Sequence, residues 1–153
     1  MSVQTSIVDS YQEYGRCLKL ENGSLEILIT IDVGPRIIFF GAPEGENMFF
    51  NDKKQERVTK GELFETIFGK GAEYHFYGGH RMWLAPQLML HTCVPDNRPV
   101  AYKLVENGVI LMPEAQKVPG MQPEMTIIMD PEQAEITVDV CYKNISREEK
   151  RYA

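Results

Sequence analysis

Cysteine is scarce and unpaired in this chain. Cys17, Cys93 and Cys141 are odd in number, far apart and free of any C-x-x-C spacing, which excludes a small secreted disulfide framework and makes a reduced cytoplasm the expected setting. An excess of positive charge is also missing. Lys and Arg number 16 against 22 Asp and Glu, a net charge of −6, and the basic residues are scattered rather than gathered into a stripe. A phosphate-backbone reader needs such a stripe, so nucleic acid is not an expected partner. Long hydrophobic runs are absent too. The densest apolar cluster is Ile37 to Phe40, and Met1 to Ser10 has neither a basic nor an apolar leader region, so no membrane span and no export signal are expected.

What is present reads as a folded domain. At 153 residues, 43% hydrophobic and 25% charged, the chain can bury roughly 70% of the surface it exposes when unfolded, without a metal or disulfide staple. No repeat, low-complexity tract or linker divides it, so 1–153 is expected to be a single domain. Gly and Pro, 12 and 9 in number, punctuate short alternating runs, the pattern of many short strands joined by turns. The expected class is mainly β, an antiparallel β-sandwich.

The clearest strand is Glu135 to Tyr142, with Ile136, Val138, Val140 and Tyr142 on one face. Leu25, Ile27, Ile29 and Ile31 repeat the pattern after Asn22-Gly23, a dipeptide that tolerates the left-handed backbone of a tight hairpin; Asn107-Gly108 marks a second hairpin. Met125, Ile127 and Met129 give another strand, ended by Asp130-Pro131 because proline cannot donate to a ladder. Met121, Met125 and Met129 are spaced as on a helix, but the β-branched Thr126-Ile127-Ile128 favours a core strand. One helix is expected after Thr59-Lys60-Gly61-Glu62, a capping-box pattern, with Leu63, Phe64, Ile67 and Phe68 as its apolar face and Gly69 as its stop. The tail from Asn144 to Ala153 carries five consecutive charges; it reads as a solvated end or as the place where a longer chain continues.

Chemistry concentrates in Glu73 to Gln87, which holds two of the three histidines, Arg81 and the only tryptophan, Trp83, around Gly78-Gly79. Paired glycines let the backbone bend and approach a ligand closely. On an extended segment His80 and Met82 point one way, Arg81 and Trp83 the other, unless a bulge re-aims them. An imidazole, a guanidinium fork and a flat indole together suit a neutral polyol. Trp83 also suits a core, and His75 reads as structural within its aromatic strand. Arg36 stands at a strand entrance, within reach of a cleft or of solvent. Asp96 and Asn97 read as turn residues. His91, Cys93 and Asp96 do not have a recognised metal-ligand spacing, so no metal and no cofactor are expected.

Three segments in order, Gly34-Pro35-Arg36-Ile37-Ile38, Tyr77-Gly78-Gly79-His80-Arg81-Met82-Trp83-Leu84-Ala85-Pro86 and Val94-Pro95-Asp96-Asn97-Arg98-Pro99-Val100, resemble the N-terminal half of uncharacterised proteins in the galactose mutarotase-like superfamily. The middle string is fairly specific; the others count through their order. The resemblance implies an antiparallel β-supersandwich, of which this chain is the N-terminal half, and a carbohydrate cleft on a concave sheet. Through the aldose 1-epimerase branch it implies His80 as a catalytic histidine, with Arg81, Trp83, Tyr77 and Arg36 as substrate-binding groups. Epimerases also need an acid-role histidine and a glutamate base from later strands, and neither can be placed here; Glu65 and Glu73 carry no motif.

Two function classes follow. One is a sugar-binding protein of mutarotase type, with an isomerase version that requires the missing acid and base. The other is a structural domain that self-associates through open sheet edges. Both imply a homodimer.

Overall fold

The structure, a computed structural model, describes residues 2–153. Two antiparallel sheets dominate it, with one short helix. The first sheet has the order β1-β2-β3-β4-β7, from Gln4–Val8 (β1), Cys17–Glu21 (β2), Glu26–Thr30 (β3), Arg36–Gly41 (β4) and His80–Arg81 (β7). The second has the order β11-β10-β9-β8, from Ala101–Val105 (β8), Gly108–Met112 (β9), Met121–Met129 (β10) and Ile136–Asn144 (β11). A small ribbon pairs Val58–Thr59 (β5) with Tyr74–His75 (β6), and the helix Glu62–Phe68 (α1) lies between them in sequence.

The two large sheets share one core. Leu18, Leu20, Ile27, Ile29 and Ile37 from the first pack with Val109, Leu111, Met125, Ile127 and Met129 from the second. That arrangement is a β-sandwich. Each such side chain contributes about 1.5–3 kcal/mol on leaving water, so the period-two apolar pattern is also the main source of stability. Leu25, Ile27, Ile29 and Ile31 are all buried in this core, as the alternation predicts, and the methionines of β10 are strand residues. On β11, Ile136, Val138 and Tyr142 pack against the same cluster, whereas Val140 is 45% exposed. The first sheet is covered on its other face as well: Tyr14, Cys17, Leu28, Ile38, Phe39 and Tyr77 form a second cluster. A register shift between Leu28 and Ile29, opposite Ile38, puts adjacent Ile38 and Phe39 into that cluster together.

Both predicted hairpin turns are present. Asn107, at φ 57°, turns β8 into β9. At the other, Asn22 is 4% exposed and uses its whole amide. Its Oδ1 accepts from the Ser24 and Leu25 amides at 2.9 Å each, and its Nδ2 donates to the Asp130 and Gln133 carbonyls at 2.7 Å each. The β2–β3 hairpin is thereby tied to the β10–β11 turn.

The helix forms where expected, but without its capping box. Thr59 belongs to β5, Gly61 is the N-cap residue, and no side chain caps the first turn. Pairing of β5 with β6 keeps Thr59 in the ribbon, two residues before the N-cap, so its hydroxyl does not accept from the amides of the first turn. Only Phe64 and Phe68 of the apolar face point inward, with ring centroids 4.7 Å apart beside Tyr74 and Cys93; Leu63 and Ile67 are exposed. Among the described residues no helix is long and apolar enough to cross a membrane.

Candidate functional site

The strand β4 meets β7 through just two pairs, Arg36 with Arg81 and Ile37 with His80. Gly78 and Gly79, both at positive φ, make that meeting possible. A Cβ on Gly78 would collide with the Phe50 carbonyl oxygen, and one on Gly79 with the Ile37 carbonyl oxygen. The glycines therefore serve a close approach, as their lack of side chains implies. What they approach is the protein's own backbone.

Beyond this bend, His80, Arg81, Met82 and Trp83 line one hollow of about 530 Å³, shared with Tyr142, Lys150 and Tyr152. The strict alternation expected for an extended segment ends with β7 at Arg81. Trp83 is 43% exposed. The Arg81 guanidinium lies within cation–π range of two rings, 5.5 Å from the Trp83 centroid and 5.2 Å from that of Tyr74, and its Nη1 donates to the Tyr74 hydroxyl. Cation–π contact with the two rings and the hydrogen bond to Tyr74 fix the guanidinium's position. His80 is exposed, yet desolvation by its surroundings lowers its pKa from 6.5, so the imidazole is neutral at pH 7 and both accepts and donates. Tyr142 keeps its hydroxyl proton for the same reason: burial pushes its pKa up to about 12, which the nearby Arg81 partly opposes.

Arg36 and Tyr77, expected as substrate-binding groups, do not reach this hollow. Arg36 is fully buried. Its Nη1 donates to the Phe76 and Gly78 carbonyls at 3.0 Å each, and its Nη2 to Asp96 Oδ2 at 2.6 Å. Burial lowers its pKa, and the Asp96 carboxylate opposes that shift. Tyr77 is 5% exposed; it lies under the Arg36 guanidinium at 4.8 Å, stacks on His75 at 5.1 Å and donates to Asn97 Oδ1 at 2.8 Å. The pair forms the foundation of the bend, because apolar packing leaves a guanidinium nowhere to go except onto carbonyls and a carboxylate.

Asp96 and Asn97 are likewise placed differently from the turn role read in the sequence. Asp96 pairs with Arg36, while Asn97 takes the Tyr77 hydroxyl and donates to the Glu73 carbonyl at 2.7 Å. His75 is structural as expected, 3.0 Å from Glu73 Oε2. His91, Cys93 and Asp96 diverge: His91 meets the Tyr152 hydroxyl at 2.7 Å, Cys93 is buried against Phe64 and Tyr74, and Asp96 holds Arg36. The charged tail is not simply solvated. Lys150 donates to the Pro119 carbonyl at 2.7 Å, and Ala153 exchanges backbone hydrogen bonds with Ala85 at 2.8 and 3.1 Å. The tail so becomes a wall of the hollow.

Tyr142 is the residue that sequence reasoning missed. It reads as the last inward position of a strand, and nothing local shows that its hydroxyl is buried without a partner. No family model, no curated protein and no solved structure matches this chain.

Proposed function

We propose that the hollow beside β7 binds a neutral carbohydrate, and that the chain is the N-terminal half of a galactose mutarotase-like supersandwich. One observation carries the reading: an exposed indole, a guanidinium stacked against it and a neutral imidazole open onto a single space of about 530 Å³. The volume lies within the range of small-molecule sites. Trp83 offers a flat face for sugar C–H surfaces, Arg81 a donor fork and His80 a reversible donor or acceptor for hydroxyls. Binding is favoured over turnover. Anomer exchange needs a proton delivered to one oxygen while another is removed, and among the described residues the side chains lining the hollow include no Asp or Glu. His80 is the catalytic candidate of the isomerase version, whose carboxylate partner would come from outside the hollow.

Trp83 is the chain's only tryptophan, so its fluorescence reports on the hollow alone. Titration with glucose, galactose and their 6-phosphates should give saturable quenching of Trp83 that Arg81→Ala weakens. Silence for every sugar from a folded protein overturns the reading.

Self-association is the second reading, and β11 favours it. This nine-residue strand is the outer strand of its sheet, and a long unpaired edge is a pairing template. We propose a homodimer through this edge. Sedimentation should show a dimer at micromolar concentration, and Thr137→Pro should shift it to monomer.

A further inference from the structure

A second hollow, of about 300 Å³, lies against the first and shares Arg81, Met82 and Tyr142 with it. Its charges do not balance. Arg81, Arg98 and Lys117 line it together with the Asp96 and Glu114 carboxylates. Each carboxylate already has a guanidinium of its own: Asp96 meets the buried Arg36 at 2.6 Å, and Glu114 meets Arg98 at 3.4 Å. Arg81 and Lys117 are left over, since among the described residues no carboxylate comes within ion-pair distance of either. Two unbalanced positive charges thus share one hollow in a chain whose net charge is −6.

The fold fixes both charges. Arg81 stands opposite Arg36 in the β4–β7 pairing, and like charges directly across a sheet repel. Among the described residues Asp96 is the one carboxylate that pairs with either. Burial chiefly, and then the charge of Arg81, lower the Arg36 pKa against the pull of Asp96, so the two guanidinium groups feel one another. Arg81 also keeps an unused donor. Its Nε donates to the Met82 carbonyl and its Nη1 to the Tyr74 hydroxyl, while Nη2 has no acceptor among the described residues. Lys117 is carried by the turn from Gln116 to Met121. Three backbone bonds close that turn: the Gln116 amide donates to the Met121 carbonyl, and the Gly120 and Met121 amides donate to the Gln116 carbonyl. Ile67, Phe68 and Val94 give the hollow apolar walls, and walls of low dielectric strengthen the field of the charges they enclose.

We propose that the smaller hollow is an anion site that takes a phosphate group, held by Arg81 Nη2 and the Lys117 ammonium. A phosphate brings up to two negative charges near pH 7 and acceptor oxygens for both donors. A cation would add to the imbalance, and a neutral ligand would leave it in place. The same chemistry is offered by free inorganic phosphate and by a phosphate carried on a sugar whose neutral ring fills the neighbouring hollow. The site stands on its own charges and does not depend on the carbohydrate reading. Because Arg81 belongs to both hollows, a phosphate borne on a sugar would join them.

The test is an NMR titration of the full chain with sodium phosphate, galactose and galactose 6-phosphate at constant ionic strength, with sodium chloride as the reference. Inorganic phosphate should give saturable shifts at the Arg81 Nε–H and Lys117 amide resonances that chloride does not. Lys117→Gln should weaken phosphate binding about ten-fold and leave galactose affinity unchanged. Lys103→Gln removes an exposed charge from β8 instead and should weaken neither. No saturable shift with either phosphate overturns the site. So does an equal loss in the two variants, which would mean diffuse attraction to any basic surface. Galactose 6-phosphate binding about ten-fold more tightly than inorganic phosphate upholds the site with a sugar-borne phosphate as its occupant; equal affinity upholds it with the free ion. Shifts of the Trp83 indole with galactose test the carbohydrate reading separately, and their absence leaves the phosphate site standing.

Discussion

The Arg36 guanidinium reaches Asp96 Oδ2 at 2.6 Å across sixty residues of sequence, with no exposed surface of its own. The contact joins the start of β4 to the loop that lines the smaller hollow. Close by, the Gly34 amide donates to the Asp96 carbonyl at 2.7 Å, a second tie between the same two segments.

Breaking that pair should be costly. Arg36→Met should destabilise the fold by about 3 kcal/mol, because it strands a partly buried carboxylate and two carbonyls. Arg36→Lys should recover little, since an ammonium cannot fork between Asp96 and the Phe76 and Gly78 carbonyls. Urea denaturation of the two variants beside the parent checks both statements.

Trp83→Ala should separate binding from stability. The indole is 43% exposed, so its loss should change unfolding free energy by no more than about 1 kcal/mol. Sugar affinity should fall about ten-fold or more. Calorimetric titration against thermal unfolding of the same sample makes the comparison.

Two glycine substitutions should differ in a way that backbone angle alone does not explain. Gly71 and Gly79 both have positive φ, 77° and 70°. A Cβ on Gly71 meets nothing within 4 Å, whereas on Gly79 it strikes the Ile37 carbonyl. Gly71→Ala should cost about 1 kcal/mol, the left-handed penalty by itself. Gly79→Ala should cost about 3 kcal/mol, with the β4–β7 pairing lost. Hydrogen exchange at the His80 and Arg81 amides would show where the difference arises.

Acid should weaken one surface pair in a defined window. The hydrogen bond from the Arg16 side chain, with one from its backbone amide, holds the Asp32 carboxyl below its ordinary value of 3.8. A depressed carboxyl contributes stability that is fully present above 3.8 and lost as pH falls through the lower folded value. The stability difference between the parent and Asp32→Asn should therefore be constant from pH 7 to 5 and shrink below 3.8. Denaturant melts at stepped pH would reveal this, and a difference that widened in acid would contradict it.

Much of the fold was legible because it is local. Alternation at Leu25 to Ile31 and Glu135 to Tyr142, and the Asn22-Gly23 and Asn107-Gly108 turns, depend on neighbours one to three residues away. The helix cap failed for the opposite reason: Thr59 is claimed by β6, fifteen residues further on. Within the candidate site, His80, Arg81 and Trp83 were legible because one short segment carries them around a glycine bend. Arg36, Tyr77 and Asp96 were not, since their surroundings are set by which distant groups meet them. A guanidinium beside a strand start looks the same in sequence whether water or a buried carboxylate receives it. Tyr142 was hidden similarly, because its environment is assembled from the turn around Gln116 and the segment around Arg81.

The amide of Asn22 sits where β10 ends at Met129, while the larger hollow opens near Met121 and Tyr142, about 27 Å away along the strand. The two sheets are thus riveted at the pole remote from the hollow. Sliding of one layer over the other is blocked there. The hollow has a tie of its own, the paired backbone bonds between Ala85 and Ala153, so the segments that follow β7 and β11 are latched together at the opposite pole as well.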